Sequence, residues 1–320
     1  MSTINTPLRR KRLTLFKRLS RSVKSAIRIA AAPLLRFLPD VVQNVFPALG
    51  RVTTRLPGGG TLRLISDGDD GKDYIAYKVA GRRLDRFEPE TMRVVSALLS
   101  DAETFFDVGA NTGVFALAAA ADSRRRVVGF EPVPQIAKRF AENVRLNGLR
   151  NLRIEACAVN DCDGELTLYI PRTKSSLPTS ASAAEGFKSE TYAVQVPAVT
   201  LDGYVAKHAI DRVDLIKLDT ETTEDRVLRG ATGLIRRDAP AIVCEVLHQG
   251  HRPSIADVLA ELLTPLGYRY FWIKPEGLVE CSTPLGDPSG KCMNYLFITA
   301  QRLPPVASLV VAQSPALECA

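Results

Sequence analysis

The segment Thr104-Phe105-Phe106-Asp107-Val108-Gly109-Ala110-Asn111-Thr112-Gly113 runs an apolar strand into an acidic, glycine-punctuated turn. Glu131 closes the next apolar strand, Val127 to Phe130, one strand–helix unit later. Gly109 and Gly113 let the backbone turn tightly and approach a ligand with no Cβ in the way. A carboxylate at the end of the following strand can grip both hydroxyls of a ribose. The pair therefore reads as a nucleoside pocket; the plainer alternative is an ordinary tight turn between a strand and a helix.

The turn also discriminates between ligands. A dinucleotide fingerprint needs Gly-x-Gly-x-x-Gly so that a helix N-terminus can hold a pyrophosphate. Here Asn111 takes the middle position of that triplet and Val114 the last. Asp107 beside the turn would repel a pyrophosphate but attract the ammonium and sulfonium of S-adenosyl-L-methionine. A methyl donor is expected over NAD.

Beyond the turn the pattern alternates: strand Val127 to Phe130, helix Ile136 to Asn147, strands Leu152 to Ala158 and Leu166 to Ile170. Val213 to Asp219 and Pro240 to Val246 read as buried strands, with a helix from near Glu224 between them. Ile255 to Leu263 suggests a helix; Tyr268 to Ile273 and Asn294 to Thr299 suggest closing strands, joined by a polar connection from Glu276 to Gly290. Such alternation predicts an α/β fold with a doubly wound, mostly parallel sheet. Upstream, residues 52–65 and 74–79 alternate apolar and polar side chains around Pro57-Gly58-Gly59-Gly60 and read as a small antiparallel β-element; Glu88 to Leu99 reads as a helix. Pro171 to Tyr192 has no period and reads as a mobile surface loop near the pocket mouth, or as a variable loop without a role. The organisation expected is an N-terminal extension over 1–50, a small β/α lead-in over 51–100, the sheet domain over 101–300 and a tail over 301–320.

The net charge of +7 belongs to one end of the chain. Ten Lys and Arg residues lie before Asp40; taking those cations and that anion from totals of 42 and 35 leaves 32 basic and 34 acidic residues in the body. Phe16, Leu19, Val23, Ile27 and Ala30 recur at helical steps among these cations, so Thr14 to Ala31 reads as a basic amphipathic helix. It can pack on the body or lie on an anionic membrane surface through residues 9–36. Arg28, Pro33, Arg36 and Pro39 break the best candidate for a spanning helix. Phe16 is the sole aromatic among the clustered cations, which argues against a nucleic-acid partner. The six cysteines include no Cys-x-x-Cys pair and read as reduced residues of a cytoplasmic protein, peripheral at a membrane if the basic helix docks there. The three histidines are too few and ill-spaced for a metal cage.

In open α/β sheets ligands bind outside the carboxyl ends of the strands, where Asp107, Glu131, Asp219 and Glu245 all fall. Each alone reads as a helix cap or an exposed charge; together they read as a site. Methyl transfer from a sulfonium leaves the acceptor as the partner needing help, and a carboxylate or imidazole can take the proton of an alcohol as the new bond forms. Asp219 and Glu221 rank first for that role and His248 second. A divalent ion on Asp219, Glu221 and Glu245 is chemically allowed, but nothing in the spacing calls for one, so no metal is expected.

These residues resemble the FkbM family of S-adenosylmethionine-dependent methyltransferases. The likeness runs from Thr104 to Thr299: Phe106 to Gly113, Gly129-Phe130-Glu131-Pro132, Asn143 to Asn147, Ala158-Val159, Val199-Thr200-Leu201-Asp202, Asp214 to Glu221, Val227 to Ala231, Glu245-Val246 and Asn294-Tyr295-Leu296-Phe297. It implies a class I methyltransferase fold, Rossmann-like, acting on a hydroxyl of a sugar or natural product; with the basic helix at a membrane surface, a glycolipid acceptor is expected as well. By the same resemblance Asp107, Gly109, Asn111 and Gly113 hold the methionine end of the cofactor, Glu131 its ribose and Ala158 the adenine edge, while Asp219 and Glu221 face the acceptor. One departure is Thr220-Glu221-Thr222-Thr223, where the family often has Val-Glu-Gly after the aspartate. The competing expectations are an NAD-dependent oxidoreductase and an RNA-modifying or nucleic-acid-binding protein recruited by the basic arm.

Overall fold

The computed structural model describes residues 50–311 except 69–70, 81, 174–175, 179, 185, 187–188 and 248–257. The amphipathic segment 14–31, and with it the extension over 1–49, lies outside the described residues, as do His248, His251 and residues 255–257 of the helix expected over Ile255 to Leu263; the rest of that segment, Leu259–Leu263, is helical as expected. Among the described residues, no helix is long and apolar enough to cross a membrane.

The chain opens with the antiparallel hairpin β1 (Arg51–Arg55) and β2 (Thr61–Ile65), each burying alternate residues. Two short strands, β3 (Asp67–Gly68) and β4 (Gly71–Lys72), follow. Tyr74–Val79 is not a third strand of this element but a helix, α1. Its alternation is overridden at the N-cap, where Asp73 accepts hydrogen bonds from Ile75 N and Ala76 N and so satisfies two of the first-turn donors.

After α2 (Pro89–Leu98) the regular winding begins: β5 (Thr104–Val108), α3 (Val114–Ala120), β6 (Arg126–Phe130), α4 (Pro134–Asn147) and β7 (Leu152–Glu155). The strand expected over Leu152 to Ala158 is divided. Ala158–Val159 forms β8, which leaves the main sheet to pair in parallel with β10 (Thr191–Val199), itself antiparallel to β9 (Gly164–Pro171). The chain then returns through α5 (Leu201–Lys207), β11 (Leu215–Leu218), α6 (Glu224–Arg229), α7 (Thr232–Asp238) and β12 (Ala241–Glu245). It closes with β13 (Tyr268–Lys274), β14 (Gly277–Cys281) and β15 (Asn294–Thr299). β14 falls inside the connection read as polar loop, and pairs with β13 at the sheet edge.

The main sheet runs β14-β13-β15-β12-β11-β5-β6-β7, with β12, β11, β5, β6 and β7 mutually parallel. Successive residues of β5 serve opposite faces: Phe105 joins the core with α2 and α3, and Phe106 the core with α5, α6 and α7. Val52, Leu62 and Leu64 of the hairpin belong to the first of these cores. Residues 301–311 are packed as well: Val306 is fully buried, Val311 N donates to Leu278 O, and Arg302 pairs with Asp214 at 2.9 Å. The expected tail therefore begins later than residue 301. Strand order reverses between β5 and β11, which leaves a crevice at their carboxyl ends, where open sheets receive ligands.

Candidate active site

A cavity of about 260 Å³ opens at that crevice. Its walls include Asp107, Gly109 and Asn111 after β5, Glu131 after β6, Ala158 of β8, Asp219 and Glu221 after β11, and Glu245 at the end of β12. The four rim acids inferred from the sequence thus meet in one place. Gly113 does not line it. A Cβ there would fall 2.0 Å from the Phe140 ring, and one on Gly109 would fall 1.8 Å from the Asp219 carbonyl oxygen. Both glycines have positive φ. Both make room for neighbouring protein atoms, and Gly109, which also lines the cavity, lets β5 and β11 approach at the switch point.

The turn and Glu131 are tied together. Asn111 adopts the left-handed conformation that its side chain tolerates, with φ 52 and Oδ1 accepting from Thr112 N at 2.8 Å. Its own N–H donates to Glu131 Oε2 at 2.9 Å, and Val133 N donates to Oε1 at 2.8 Å. Asn143 of α4 steadies the other side, donating to Thr112 O at 3.0 Å and accepting from Ile65 N at 2.9 Å. Burial lifts the Glu131 carboxyl to about 7 against the pull of those two N–H groups. Asp107 is buried too and lifted to about 6, although the Lys217 ammonium and the Ala116 N–H, 2.9 Å from Oδ2, favour its ionised form.

Lys217 is the cation of the site. It stands opposite Asp107 in the β5–β11 register, 3% exposed, with Nζ 2.8 Å from Asp219 Oδ2 and 4.8 Å from the centre of the Phe115 ring. Burial alone would push its ammonium down, but Asp219, Glu88 and Asp107 hold it above the ordinary lysine range. Sequence reading passed over Lys217 inside the run Asp214 to Asp219. The signal was there, since a lysine in the middle of a strand buried on both faces requires a partner.

Glu224 and Glu88 were missed as well. Glu224 Oε1 accepts from Thr220 N at 2.8 Å and Thr220 Oγ1 at 3.0 Å, and so shapes the turn carrying Glu221. Glu88 reaches the cavity from the start of α2. Burial and then the Asp219 charge push the Glu245 carboxyl well above the usual carboxylate range. Among the described residues, no group of three or more His, Cys, Asp or Glu side chains is placed to hold a metal ion.

The departure from Val-Glu-Gly has a structural counterpart. Glu221 has φ 56 and Thr222 φ 94, so a β-branched residue occupies a backbone conformation suited to glycine. Ser182, buried in the 171–192 segment, donates from Oγ to Glu221 O and lies 3.1 Å from Thr222 Oγ1. Pro178, Ser180, Ala181 and Ala183 line the cavity. This segment is therefore part of the pocket wall rather than a loop without a role.

The sequence profile of the Methyltransferase FkbM domain matches residues 107–270, half of the chain. The chain belongs to the FkbM methyltransferase family. The matched stretch starts at Asp107 and ends at Tyr270, short of Asn294-Tyr295-Leu296-Phe297. The chain is similar to the 31-O-demethyl-FK506 methyltransferase FkbM of Streptomyces tacrolimicus, with 28% identity over 207 residues, 56% of this chain and 75% of the relative. Among solved structures it is similar to an FkbM methyltransferase of Methylobacillus flagellatus, with 16% identity and a TM-score of 0.42 over 62% of this chain, spanning only 44% of that one. It is also similar to the precorrin-6y methyltransferase of Geobacter metallireducens, with 12% identity and a TM-score of 0.33 over 64% of this chain and 86% of that one. This FkbM-family chain has the class I, Rossmann-like fold and is a methyltransferase, so the hydride-transfer expectation is set aside.

Proposed function

We propose that the chain is an S-adenosylmethionine-dependent O-methyltransferase acting on a hydroxyl of a sugar, glycolipid or natural product. The observation that carries this reading is the buried Glu131 at the carboxyl end of β6, sharing one cavity with Asp107 and Asp219. A carboxylate offers about four lone-pair sites, and the two backbone N–H groups on Glu131 use two, leaving capacity for a pair of ribose hydroxyls. Asp107 Oδ1 is shielded from solvent and has no hydrogen-bond partner among the described residues, as suits a wall awaiting a cationic ligand. When bound, S-adenosylmethionine supplies a methyl group already activated by its sulfonium. Lys217 holds one oxygen of Asp219, and the other carboxylate oxygen is the atom assigned to take the proton of the acceptor hydroxyl. The Streptomyces relative is named for a 31-O-demethyl compound, which supports an oxygen acceptor. The basic stretch 9–36 would bring the enzyme to anionic membranes, where a lipid-linked acceptor could be met.

Calorimetric titration with S-adenosylhomocysteine, with NADH as control, tests the cofactor. Asp107→Ala and Glu131→Ala should each weaken binding of S-adenosylhomocysteine about tenfold or more, the loss of a charge-assisted contact. Asp219→Asn should keep that affinity while slowing turnover about a hundredfold, the lower end of what a positioned base supplies. Unchanged affinity in both alanine variants would sink the pocket assignment.

A further inference from the structure

Among the described residues, three carboxylate oxygens in the cavity wall are shielded from solvent without a hydrogen-bond donor: Oε2 of Glu88, Oδ1 of Asp107 and Oε2 of Glu245. Glu245 faces Asp219, Glu221 and Glu224, whereas Glu88 and Asp107 act on each other. Asp107 is 1% exposed. Glu88 sits at the N-cap of α2 with φ 42, a left-handed backbone conformation unfavourable to a residue with a Cβ. It makes no side-chain cap hydrogen bond, so helix capping does not account for a glutamate there. Strain of this kind persists where surrounding structure holds a side chain in a required place.

The charges of this corner do not balance. Glu88 feels Lys217, Asp219 and Asp107, and beyond them Lys78. Lys217 is committed to Asp219 Oδ2 at 2.8 Å, and the Lys78 ammonium lies 4.7 Å from the centre of the Tyr74 ring. The unpartnered oxygens of Glu88 and Asp107 belong to groups that accept hydrogen bonds when ionised, and the acids here outnumber the ammonium groups free to meet them. A bound cation with several N–H donors meets both needs, whereas a neutral hydroxyl meets only one.

We propose that Glu88 and Asp107 together bind the α-ammonium of the methyl donor, so that helix α2, ahead of the family-matched residues 107–270, builds part of the donor site. This assignment rests on the methyl-donor reading above and deepens it. It gives Glu88 a binding role distinct from the ribose contact of Glu131 and from proton transfer at Asp219.

The test uses the full chain and two ligands, S-adenosylhomocysteine and 5′-methylthioadenosine, which keeps the adenosine and thioether but lacks the amino-acid end. Glu88→Gln preserves shape and removes the charge. It should weaken S-adenosylhomocysteine about tenfold or more while leaving 5′-methylthioadenosine within about twofold of the parent value. Equal affinity of parent and variant for S-adenosylhomocysteine would overturn the assignment alone. So would a parallel loss for both ligands, because Glu88 would then act through the fold. A parent chain that binds neither ligand would overturn the methyl-donor reading, and this assignment with it.

Discussion

At the scale of single residues, two backbone positions with positive φ call for opposite outcomes. Gly109 has φ 78, and a Cβ on it would overlap the Asp219 carbonyl. Gly109→Ala should cost about 3 kcal/mol or more in thermal or urea unfolding, since backbone strain adds to the forced separation of β5 and β11. Thr222 has φ 94 with a β-branched side chain. Thr222→Gly removes about 1–2 kcal/mol of strain against about 0.5–1 kcal/mol of added unfolded-state entropy, so Tm should hold or rise slightly. A Tm loss of several degrees would mean that the Ser182–Thr222 hydroxyl contact outweighs the strain. Asp107, lifted to about 6, and Glu131, lifted to about 7, set a pH dependence. Both keep a proton in the folded state that the unfolded chain has already released, so their contribution to stability falls as pH rises from the ordinary carboxylate range to about 7. A ligand that prefers the ionised pair reverses part of that loss. The rise in Tm produced by S-adenosylhomocysteine should therefore grow between about pH 5.5 and 8. A constant shift across that range would show that these two carboxyls do not titrate against the ligand.

At the scale of elements, the 171–192 segment and the turn after β11 form a joint. Two of the contacts that its described residues make with the body lie well apart: Leu177 N donates to Lys72 O at 3.0 Å, and Ser182 Oγ donates to Glu221 O. The first ties the segment to β4 and the second to the turn that presents Glu221. Ser182→Ala removes the second tie while leaving Asp107, Glu131 and the β5 turn in place. One neutral hydrogen bond is worth about 1 kcal/mol, so KM for the acceptor should rise, or kcat fall, about fivefold, with donor affinity unchanged. Steady-state kinetics beside donor titration separates the two; an equal loss of donor affinity would refute the division of labour. Little of this joint was legible beforehand. A stretch rich in Ser, Ala and Lys has no period, and only the folded chain places Ser182 beside Glu221. The mistaken strand at Tyr74–Val79 has a related cause: alternation over six residues is a weaker signal than one N-capping aspartate, and Asp73 decided the outcome.

At the scale of the whole molecule, the parallel strands and the acids that end them were readable because each is a local pattern, an apolar run followed by a carboxylate. Glu88 was not, because its meaning depends on where α2 begins; Lys217 was readable only as a buried lysine in need of a partner, since which acid it meets depends on the strand beside β5. Topology sets the buried Lys217 beside the buried Asp107, and with the half-buried Glu88 and Asp219 they form a group of three acids around one ammonium. Such a group makes stability depend on the lysine more than on any single acid. Removing one partner from a buried ion pair costs about 3–5 kcal/mol when the remaining charge is left uncompensated. The acids can escape part of that cost by taking up protons, which is easier at low pH. In Lys217→Met their folded-state pKa values would lie still further above the unfolded ones, so stability would be retained at low pH and lost as pH rises. The variant should therefore unfold close to the parent at about pH 5 and fall below it by about 3 kcal/mol near pH 8 in urea titrations. A deficit independent of pH would point to lost packing over Phe115 instead of charge, since the lysine stem also covers that ring.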